Sequence, residues 1–324
     1  MKSFEYAAPK TLKEATALLG DKWGEVEILA GGTDLITSLK QGITAPRRVV
    51  SLKQISVLRG IESSKGSLHI GAMTPLRELV AHKEAQKQFP ALVAATRNIG
   101  SQQMLAMGTV GGEVCQRPRC WYFRNGYGLL GKDGETSLVR EGDNRYHAIF
   151  ATDGPALFVS ASSLGPVLVA LGAVLTAEGA SGKRQIEAAQ FFRAPTSDQQ
   201  RETTLKPNEI LTDIAIPMEG LKNAIYEVRH RRGLDWPYVS AAVAFNEKSG
   251  SAMGARVVLG HVAPTPWMSR AAADALTGAT IDERVATRCG EAAVRNAKPL
   301  SKNAYKVQLT KVAVKRAVLA ARTA

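Results

Sequence analysis

The stretch Ile28–Gly42, ILAGGTDLITSLKQG, joins an apolar run to an amphipathic segment through two glycines and a Thr-Asp pair. Backbone amides at glycines can approach an anion closely, and the start of a helix adds a partial positive charge. The pattern is therefore compatible with a phosphate-binding turn, or with an ordinary turn in which Thr33 or Asp34 caps a helix. Neither GxGxxG nor GxxxxGK[ST] occurs here, so these two nucleotide-binding motifs do not decide between the alternatives.

The residues around this turn predict a compact α/β unit over residues 1–55. EVEILA before the turn and RRVVSL after it have the composition of strands, and LITSLKQG has helical spacing and ends at Gly42. TLKEATALL, after Pro9, predicts an earlier helix. The predicted order is strand, helix, strand, helix, strand, with the glycine pair between the second strand and the second helix.

A second glycine pair lies about eighty residues later, in TVGGE, after the predicted helix PALVAATRNIG. Residues 116–154 are polar and rich in Gly and Arg, and a connection of this length inside a domain is often functional. NEILTDIAIP predicts a strand that Pro217 ends. From about residue 222 the pattern changes to three strands and two helices, which predicts a three-stranded antiparallel sheet covered by helices.

Composition places the chain among soluble globular proteins of two or three domains. It has 324 residues, of which 45 % are apolar and 22 % charged. No apolar run approaches the roughly 20 residues of a membrane helix, and the N-terminus lacks a signal-peptide core. We therefore expect a cytoplasmic protein with no membrane association, although export by a partner's signal is not excluded. The three cysteines fit a reducing compartment and lack zinc-site spacing, so no metal site is predicted.

The net charge of +13 is compatible with nucleic-acid binding or with an acidic protein partner. Between Arg284 and Ala324 there are ten Lys and Arg residues and one acid, Glu291. The basic residues lie within helix-like patterns and have no aromatic platform beside them. This arrangement favours docking of a basic C-terminal domain on a partner subunit over nucleic-acid binding.

Several short pieces, taken together, give the chain a family resemblance. Their order and spacing are similar to the FAD-binding medium subunits of the molybdenum hydroxylases, which include xanthine and carbon monoxide dehydrogenases, 4-hydroxybenzoyl-CoA reductase and aldehyde oxidoreductases. The resemblance covers nearly the whole chain. The piece QRPRCWYFR is typical of the branch with a long inserted loop. The pieces are FEYAAPKTLKEA, AGGTDLI, GSQQ with GTVGG, QRPRCWYFR, NRYHAIFA, LKPNEILTDIAIP, GLDWPYVSAAVA and GHVAPTPW.

The resemblance implies an α+β fold: a two-subdomain FAD-binding fold of the vanillyl-alcohol-oxidase (PCMH) type, plus a C-terminal three-stranded sheet with helices. The FAD-binding domain would span residues 1–220, with subdomains of about 1–55 and 56–220 and the inserted loop at 116–154. The smaller C-terminal domain would span residues 221–324.

The resemblance also implies FAD as cofactor, with its diphosphate between the two glycine turns and Ile210 and Leu211 in the wall of the ring pocket. Electrons would pass from a molybdenum cofactor-binding large subunit, through a [2Fe-2S] small subunit, to this flavin and then to an external acceptor. Neither the substrate nor the acceptor can be inferred from this chain. The residues carried over to the two turns are Ala30, Gly31, Gly32, Thr33, Asp34, Leu35, Thr109, Gly111 and Gly112.

Five positions depart from the family pattern. Leu105 and Ala106 stand where the family usually has Arg and Asn, Glu113 replaces Asn, Ser163 replaces Asp, and Glu227 replaces a Lys that often faces the flavin. A carboxylate near a diphosphate would oppose its binding. The alternative function is therefore a structural assembly subunit of the same complex with weakened or lost flavin. A free-standing FAD oxidase would need its own substrate pocket and base, and neither is evident.

For three further candidate sites, a structural role is favoured over a catalytic or cofactor-binding role. His147 could be a base, but a hydrogen bond that anchors the loop is favoured. CWYF, residues 120–123, could stack on a flavin, but packing of the loop is favoured. Asp235 could be a general base, but a turn or cap is favoured.

The resemblance bears on one metal site. In the similar branch the loop supplies cysteine thiolates to a [4Fe-4S] cluster, and the first of them matches Cys120. The other ligand places hold Leu129, Ser137 and Ala156, and neither Leu nor Ala can bind iron. The sequence therefore predicts that this member lacks the cluster.

Overall fold

The computed structural model describes residues 1–231 and 235–323. Its helices are α1 (Leu12–Ala17), α2 (Leu35–Lys40), α3 (Leu76–Ala81), α4 (Lys83–Gln88), α5 (Pro90–Arg97), α6 (Gln102–Met107), α7 (Val110–Val114), α8 (Trp121–Arg124), α9 (Leu138–Glu141), α10 (Leu164–Leu171), α11 (Ala188–Phe191), α12 (Arg270–Leu276), α13 (Glu283–Ala293) and α14 (Tyr305–Arg322). Its strands are β1 (Glu5–Ala7), β2 (Val26–Leu29), β3 (Arg48–Ser51), β4 (Ile61–Ser64), β5 (Ser67–Gly71), β6 (Lys132–Asp133), β7 (Thr136–Ser137), β8 (Val174–Gly179), β9 (Gly182–Glu187), β10 (Glu209–Pro217), β11 (Lys222–Val228), β12 (Val239–Lys248), β13 (Ser251–Gly260) and β14 (Trp267–Met268).

The first 55 residues form the predicted α/β unit. Its three strands are parallel in the order β1-β3-β2, and helices α1 and α2 supply the connections. Helix α1 begins with a capping box, in which Thr11 and Glu14 each satisfy the other's backbone amide. Parallel strands end at the same edge, so the turn after β2 lies at the carboxyl edge of this small sheet.

A second, antiparallel sheet has the strand order β4-β5-β10-β8-β9. The predicted strand NEILTDIAIP is β10, at the centre of this sheet, and Pro217 is its last residue. Helix α10 is buried along its whole length and packs against α5, β12 and β13. This helix therefore joins the core of the second sheet to the C-terminal part of the chain.

The C-terminal sheet is antiparallel in the order β11-β12-β13-β14. The three predicted strands are β11, β12 and β13; the short fourth strand, β14, was not predicted. A strand of two residues is too short to show a periodic pattern. Its position is set by pairing with β13, where Trp267 lies opposite Leu259 and Met268 opposite Val258. Helices α12, α13 and α14 pack together over the sheet and bury one apolar core.

Residues 116–154, called the inserted segment below, contain α8, the β6–β7 hairpin and α9. The start of α14 holds this segment in place. Lys306, fully buried, donates from Nζ to the backbone oxygens of His147 at 3.0 Å and His261 at 2.6 Å. Asn303 donates to the oxygens of Asn144, His147 and Ala148. These tertiary hydrogen bonds order the segment in place of a long helix or a sheet. This explains why its sequence shows no regular periodicity.

Within residues 1–231 and 235–323, no helix combines the length and the apolar character needed to cross a bilayer.

Candidate functional site

The two glycine turns lie against one another and form the floor of a groove. A Cβ on Gly31 would fall 1.9 Å from the backbone oxygen of Met107, just before the second turn. A Cβ on Gly112 would lie 3.7 Å from that of Ala30. The groove brings together all eleven residues predicted for the site: Ala30, Gly31, Gly32, Thr33, Asp34, Leu35, Thr109, Gly111, Gly112, Ile210 and Leu211.

The first turn presents unused backbone donors. Among the described residues, the N–H groups of Gly31, Gly32 and Thr33 have no protein acceptor. Gly32 has φ +86°, a conformation that glycine adopts without strain. Asp34 occupies the N-cap position of α2, yet its side chain makes no capping bond. The turn therefore matches the anion-binding alternative better than the ordinary capped turn.

The second turn differs, because its amides already have acceptors within the protein. Val110 donates to Thr74 O at 2.9 Å, and Gly111 donates to Ala72 O at 2.8 Å. The amide of Gly112 donates to the Thr109 hydroxyl, which caps α7. Since Thr74, Ala72 and Thr109 already accept from these amides, this turn offers the Thr109 hydroxyl and, at its two glycines, a surface without side chains.

Strand β10 supplies the apolar wall of the groove. Ile210 and Leu211 are both buried, and the register with β8 shifts between Leu211 and Asp213. Such a bulge re-aims the side chains beside it. Other groove residues were not predicted, since Trp23 and Arg201 come from segments without a motif.

Each acidic side chain in the groove has an arginine partner. Arg117 pairs with Glu202 at 2.6 Å, and Arg201 pairs with Glu27 at 2.9 Å while stacking on the Trp23 ring at 4.9 Å. The other two acids are Asp34, which pairs with Arg119 and Arg124, and Glu209, which pairs with Arg184. The groove consequently has no uncompensated carboxylate among the described residues, and an anion can approach.

Asp34 links the first glycine turn to the inserted segment. Its carboxylate accepts from the Arg117 amide at 2.9 Å and pairs with the Arg119 and Arg124 guanidinium groups. Burial raises the pKa of Asp34, but Arg119, the Arg117 amide and Arg124 together outweigh that cost and leave the pKa below its usual value. The inserted segment thus fixes the geometry of the turn.

The five departures from the family pattern lie outside the lining of the groove. Leu105 is part of the apolar core. Glu113 accepts from the Ser162 hydroxyl at 2.7 Å and the Ser163 amide at 2.6 Å, at the start of α10. Glu227 accepts from Asn98 and pairs with Arg229 at 2.9 Å. Both carboxylates therefore have protein partners away from the turns.

The structural roles favoured for two other residues are confirmed. His147 Nε2 lies 3.1 Å from Cys120 Sγ, and this contact joins two distant parts of the inserted segment. Asp235 accepts from the amide and the guanidinium group of Arg231. In CWYF, Phe123 is buried and packs in the loop, and it also lines the groove, so the two interpretations of this motif are not exclusive.

The positions matched to cluster ligands contain apolar contacts. Cys120 packs against a buried cluster that contains Leu129, Ala156 and Phe158. The Ser137 side chain caps α9 by accepting from the Arg140 amide. The absence of an iron–sulfur cluster stays a prediction, which iron analysis of the purified chain would check.

Comparisons with known proteins agree with the fold. The family described as "FAD binding domain in molybdopterin dehydrogenase" matches residues 2–219, and "CO dehydrogenase flavoprotein C-terminal domain" matches residues 224–321. The carbon monoxide dehydrogenase medium chain of Hydrogenophaga pseudoflava is 27% identical in an alignment 324 positions long, which covers 98% of this chain and 96% of that one. The aldehyde oxidoreductase FAD-binding subunit PaoB of Escherichia coli (strain K12) is 29% identical, with 96% of each chain covered.

Solved structures give the same result. A chain of the carbon monoxide dehydrogenase from Hydrogenophaga pseudoflava that lacks the Mo-pyranopterin moiety matches with TM-score 0.78 and 27% identity, covering 99% of this chain and 98% of that one. A chain of quinoline 2-oxidoreductase from Pseudomonas putida 86 also matches with TM-score 0.78, at 24% identity. The predicted α+β fold, with its two-part N-terminal portion and C-terminal sheet, is confirmed.

Proposed function

This chain belongs to the family of FAD-binding domains of molybdopterin dehydrogenases, and we propose that it is the electron-transferring subunit of a molybdenum hydroxylase complex. It is an FAD-binding subunit of this enzyme class, and FAD is its cofactor. The observation that carries the proposal is the convergence of both glycine turns, with free amides on one of them, on a single groove.

The groove suits the diphosphate of FAD. Free N–H groups at Gly31, Gly32 and Thr33 provide donors, and Gly112 leaves the opposite side without a side chain. Backbone amides and hydroxyls can hold a diphosphate without a metal ion. Because the groove's acids are paired with arginines, the anion meets no free carboxylate among the described residues.

In this proposal each part of the groove has a separate task. The residues 30–35 and Thr109, Gly111 and Gly112 hold the diphosphate, and Ile210 and Leu211 provide an apolar wall for the ring. The bound flavin supplies the redox chemistry. The chain positions it, excludes water with the β10 side chains, and needs no acid or base of its own.

The partners in the proposed complex are a molybdenum cofactor-binding large subunit and a [2Fe-2S] small subunit. Electrons released at the molybdenum centre would pass through the iron–sulfur subunit to this chain and then to an external acceptor. Support comes from the similar proteins, which include medium chains and FAD-binding subunits of dehydrogenases and oxidoreductases. We expect the complex to be cytoplasmic.

The alternative, an assembly subunit that has lost flavin, rested on five departures from the family pattern. Glu113 and Glu227 are the two that introduce charge, and both bond to protein groups instead of facing the groove. Neither of these two carboxylates, as placed among the described residues, supports loss of flavin over its retention.

The test places one charge between the two turns. Gly112→Asp directs a carboxylate into the gap opposite Ala30, at the cost of a small movement of the Thr109 hydroxyl, which a Cβ would meet at 2.9 Å. Gly154→Asp is the matched control, since the nearest atom to its Cβ is 3.6 Å away in the inserted segment. FAD content, measured from the visible absorbance of released flavin, should fall to background in Gly112→Asp alone. Stoichiometric FAD in folded Gly112→Asp would overturn the assignment of the groove.

A further inference from the structure

A second cavity, of about 480 Å³, lies between the inserted segment and the C-terminal domain. Trp121 and Tyr146 line it from the inserted segment, and Trp236 and Tyr238 line it from the segment before β12. Phe158 forms part of its floor. The volume is in the range of small-molecule sites, and five aromatic side chains around one cavity are typical of a site for a planar ligand.

The aromatic rings are already arranged by mutual packing. The Tyr146 and Tyr238 rings stack with centroids 5.5 Å apart, and Trp121 meets Tyr146 edge-on, also at 5.5 Å. On the far side, the Arg119 guanidinium lies 4.7 Å from the Trp236 ring. Two tyrosine hydroxyls and the His230 imidazole provide groups that can hydrogen-bond to the edge of a ligand.

The charged side chains that line this cavity already have partners among the described residues. Arg119 pairs with Asp34, and Arg231 pairs with Asp235. Lys306 Nζ donates to backbone oxygens, and burial lowers the pKa of this group to about 7. Burial lowers the pKa of His147 to about 4 and that of His261 to about 3, so both imidazoles are neutral at pH 7. This lining disfavours a phosphate-bearing ligand and favours a neutral one.

One layer of side chains separates this cavity from the flavin groove. Arg119 lines the cavity, and its ion-pair partner Asp34 lines the groove. Phe158 of the cavity and Phe123 of the groove belong to the same apolar cluster. A ligand in the cavity would therefore be close to the cofactor while remaining outside its binding groove.

We propose that this cavity binds a quinone, which accepts electrons from the reduced flavin. The inference rests on the proposed function, because it names the acceptor class for that electron route. A quinone is planar and neutral, which matches the aromatic lining of the cavity. Its two carbonyl oxygens can accept hydrogen bonds from the tyrosine hydroxyls and from His230. Its reduction to a hydroquinone takes up two electrons, which would come from the reduced flavin across the intervening side chains. The two protons would come from solvent, to which the oxidised flavin would release its own two.

The experiment uses the full chain with its FAD content measured beforehand. The probe is 2,3-dimethyl-1,4-naphthoquinone, which has no free quinone ring position for addition of a cysteine thiol. Calorimetric titration should show saturable binding that persists when FAD fills the groove. Tyr146→Ala and Trp236→Ala should each weaken binding about tenfold, since each removes one stacking wall. Tyr127→Ala is the matched control: Tyr127 is 45% exposed and Tyr146 44%, and both lie in the inserted segment.

A second readout follows electron transfer. Re-oxidation of the chemically reduced chain by sub-saturating quinone should slow about tenfold in Tyr146→Ala and remain unchanged in Tyr127→Ala. Lack of saturable binding, displacement by FAD, or equal affinity in wild type and both wall variants would overturn the inference. A chain that retains FAD and binds no quinone contradicts only this inference. A chain that binds the quinone and retains no FAD contradicts the proposed function instead.

Discussion

Glu113 directly follows the second glycine pair, where a carboxylate would be expected to repel a diphosphate. Its oxygens instead accept hydrogen bonds from Ser162, Ser163 and Leu164 at the start of α10. A carboxylate beside the N-terminus of a helix is stabilised by unused amides and by the helix dipole. Burial is nevertheless the largest effect on Glu113 and raises its pKa to about 7.

This raised pKa predicts a pH-dependent stability. Between about pH 4.5 and 7 the folded chain keeps Glu113 protonated while the unfolded chain ionises, so its contribution to stability falls as the pH rises. Glu113→Gln keeps an acceptor and cannot ionise. Relative to wild type, its free energy of unfolding should rise by about 3 kcal/mol from about pH 4 to pH 8, measured by urea denaturation. Exposed Glu135→Gln is the control, and a constant difference across this range would contradict the prediction.

At the scale of elements, the inserted segment connects three parts of the molecule. Asp34, just before α2, binds it through Arg117, Arg119 and Arg124. Asn303 and Lys306, at the start of α14, bind its backbone oxygens from the other side. The inserted segment has only short helices and one hairpin with strands of two residues each. These contacts hold it as a wall that the flavin groove and the second cavity share.

Asp34→Asn should loosen this wall. The substitution leaves two partly buried guanidinium groups without their carboxylate, which should lower the free energy of unfolding by about 3 kcal/mol. Trypsin should cut the 116–154 segment faster, as followed by mass spectrometry. Asp133→Asn, at the exposed tip of the β6–β7 hairpin, should leave the cleavage rate unchanged. Equal cleavage in the two variants would mean that Asp34 does not hold the segment.

At the scale of the whole molecule, positive charge is concentrated in the C-terminal helices. Some of it is used internally: Lys306 is buried, Lys298 pairs with Asp153 at 2.7 Å, and Lys315 pairs with Glu283. Arg284 and Arg295 are exposed and have no ion-pair partner within the described part of the chain. Their position on α13 and just after it gives the chain a basic face.

This basic face should contribute to assembly with the partner subunits. Arg284→Glu with Arg295→Glu should weaken co-purification of the partners, and raising the salt to about 1 M should weaken it in wild type, since charges are then screened beyond ~3 Å. Lys2→Glu with Lys87→Glu, also exposed, is the charge-matched control. Retention of the partners by the Arg284/Arg295 variant at low salt would exclude an electrostatic contribution of this face.

Local sequence was sufficient for the elements of residues 1–55, and the family resemblance for eleven residues of the groove. The alternation and capping patterns of residues 1–55 predicted their strands and helices correctly, because these depend on neighbours along the chain. The resemblance placed the two glycine turns and Ile210 and Leu211 around one cofactor, and these residues do meet in one groove. Only the tertiary structure decided which amides remain free, where Glu113 and Glu227 bond, and that Arg201 and Trp23 join the groove. Those outcomes depend on partners distant in sequence, whose positions the packing of three sheets determines, and no local pattern encodes them.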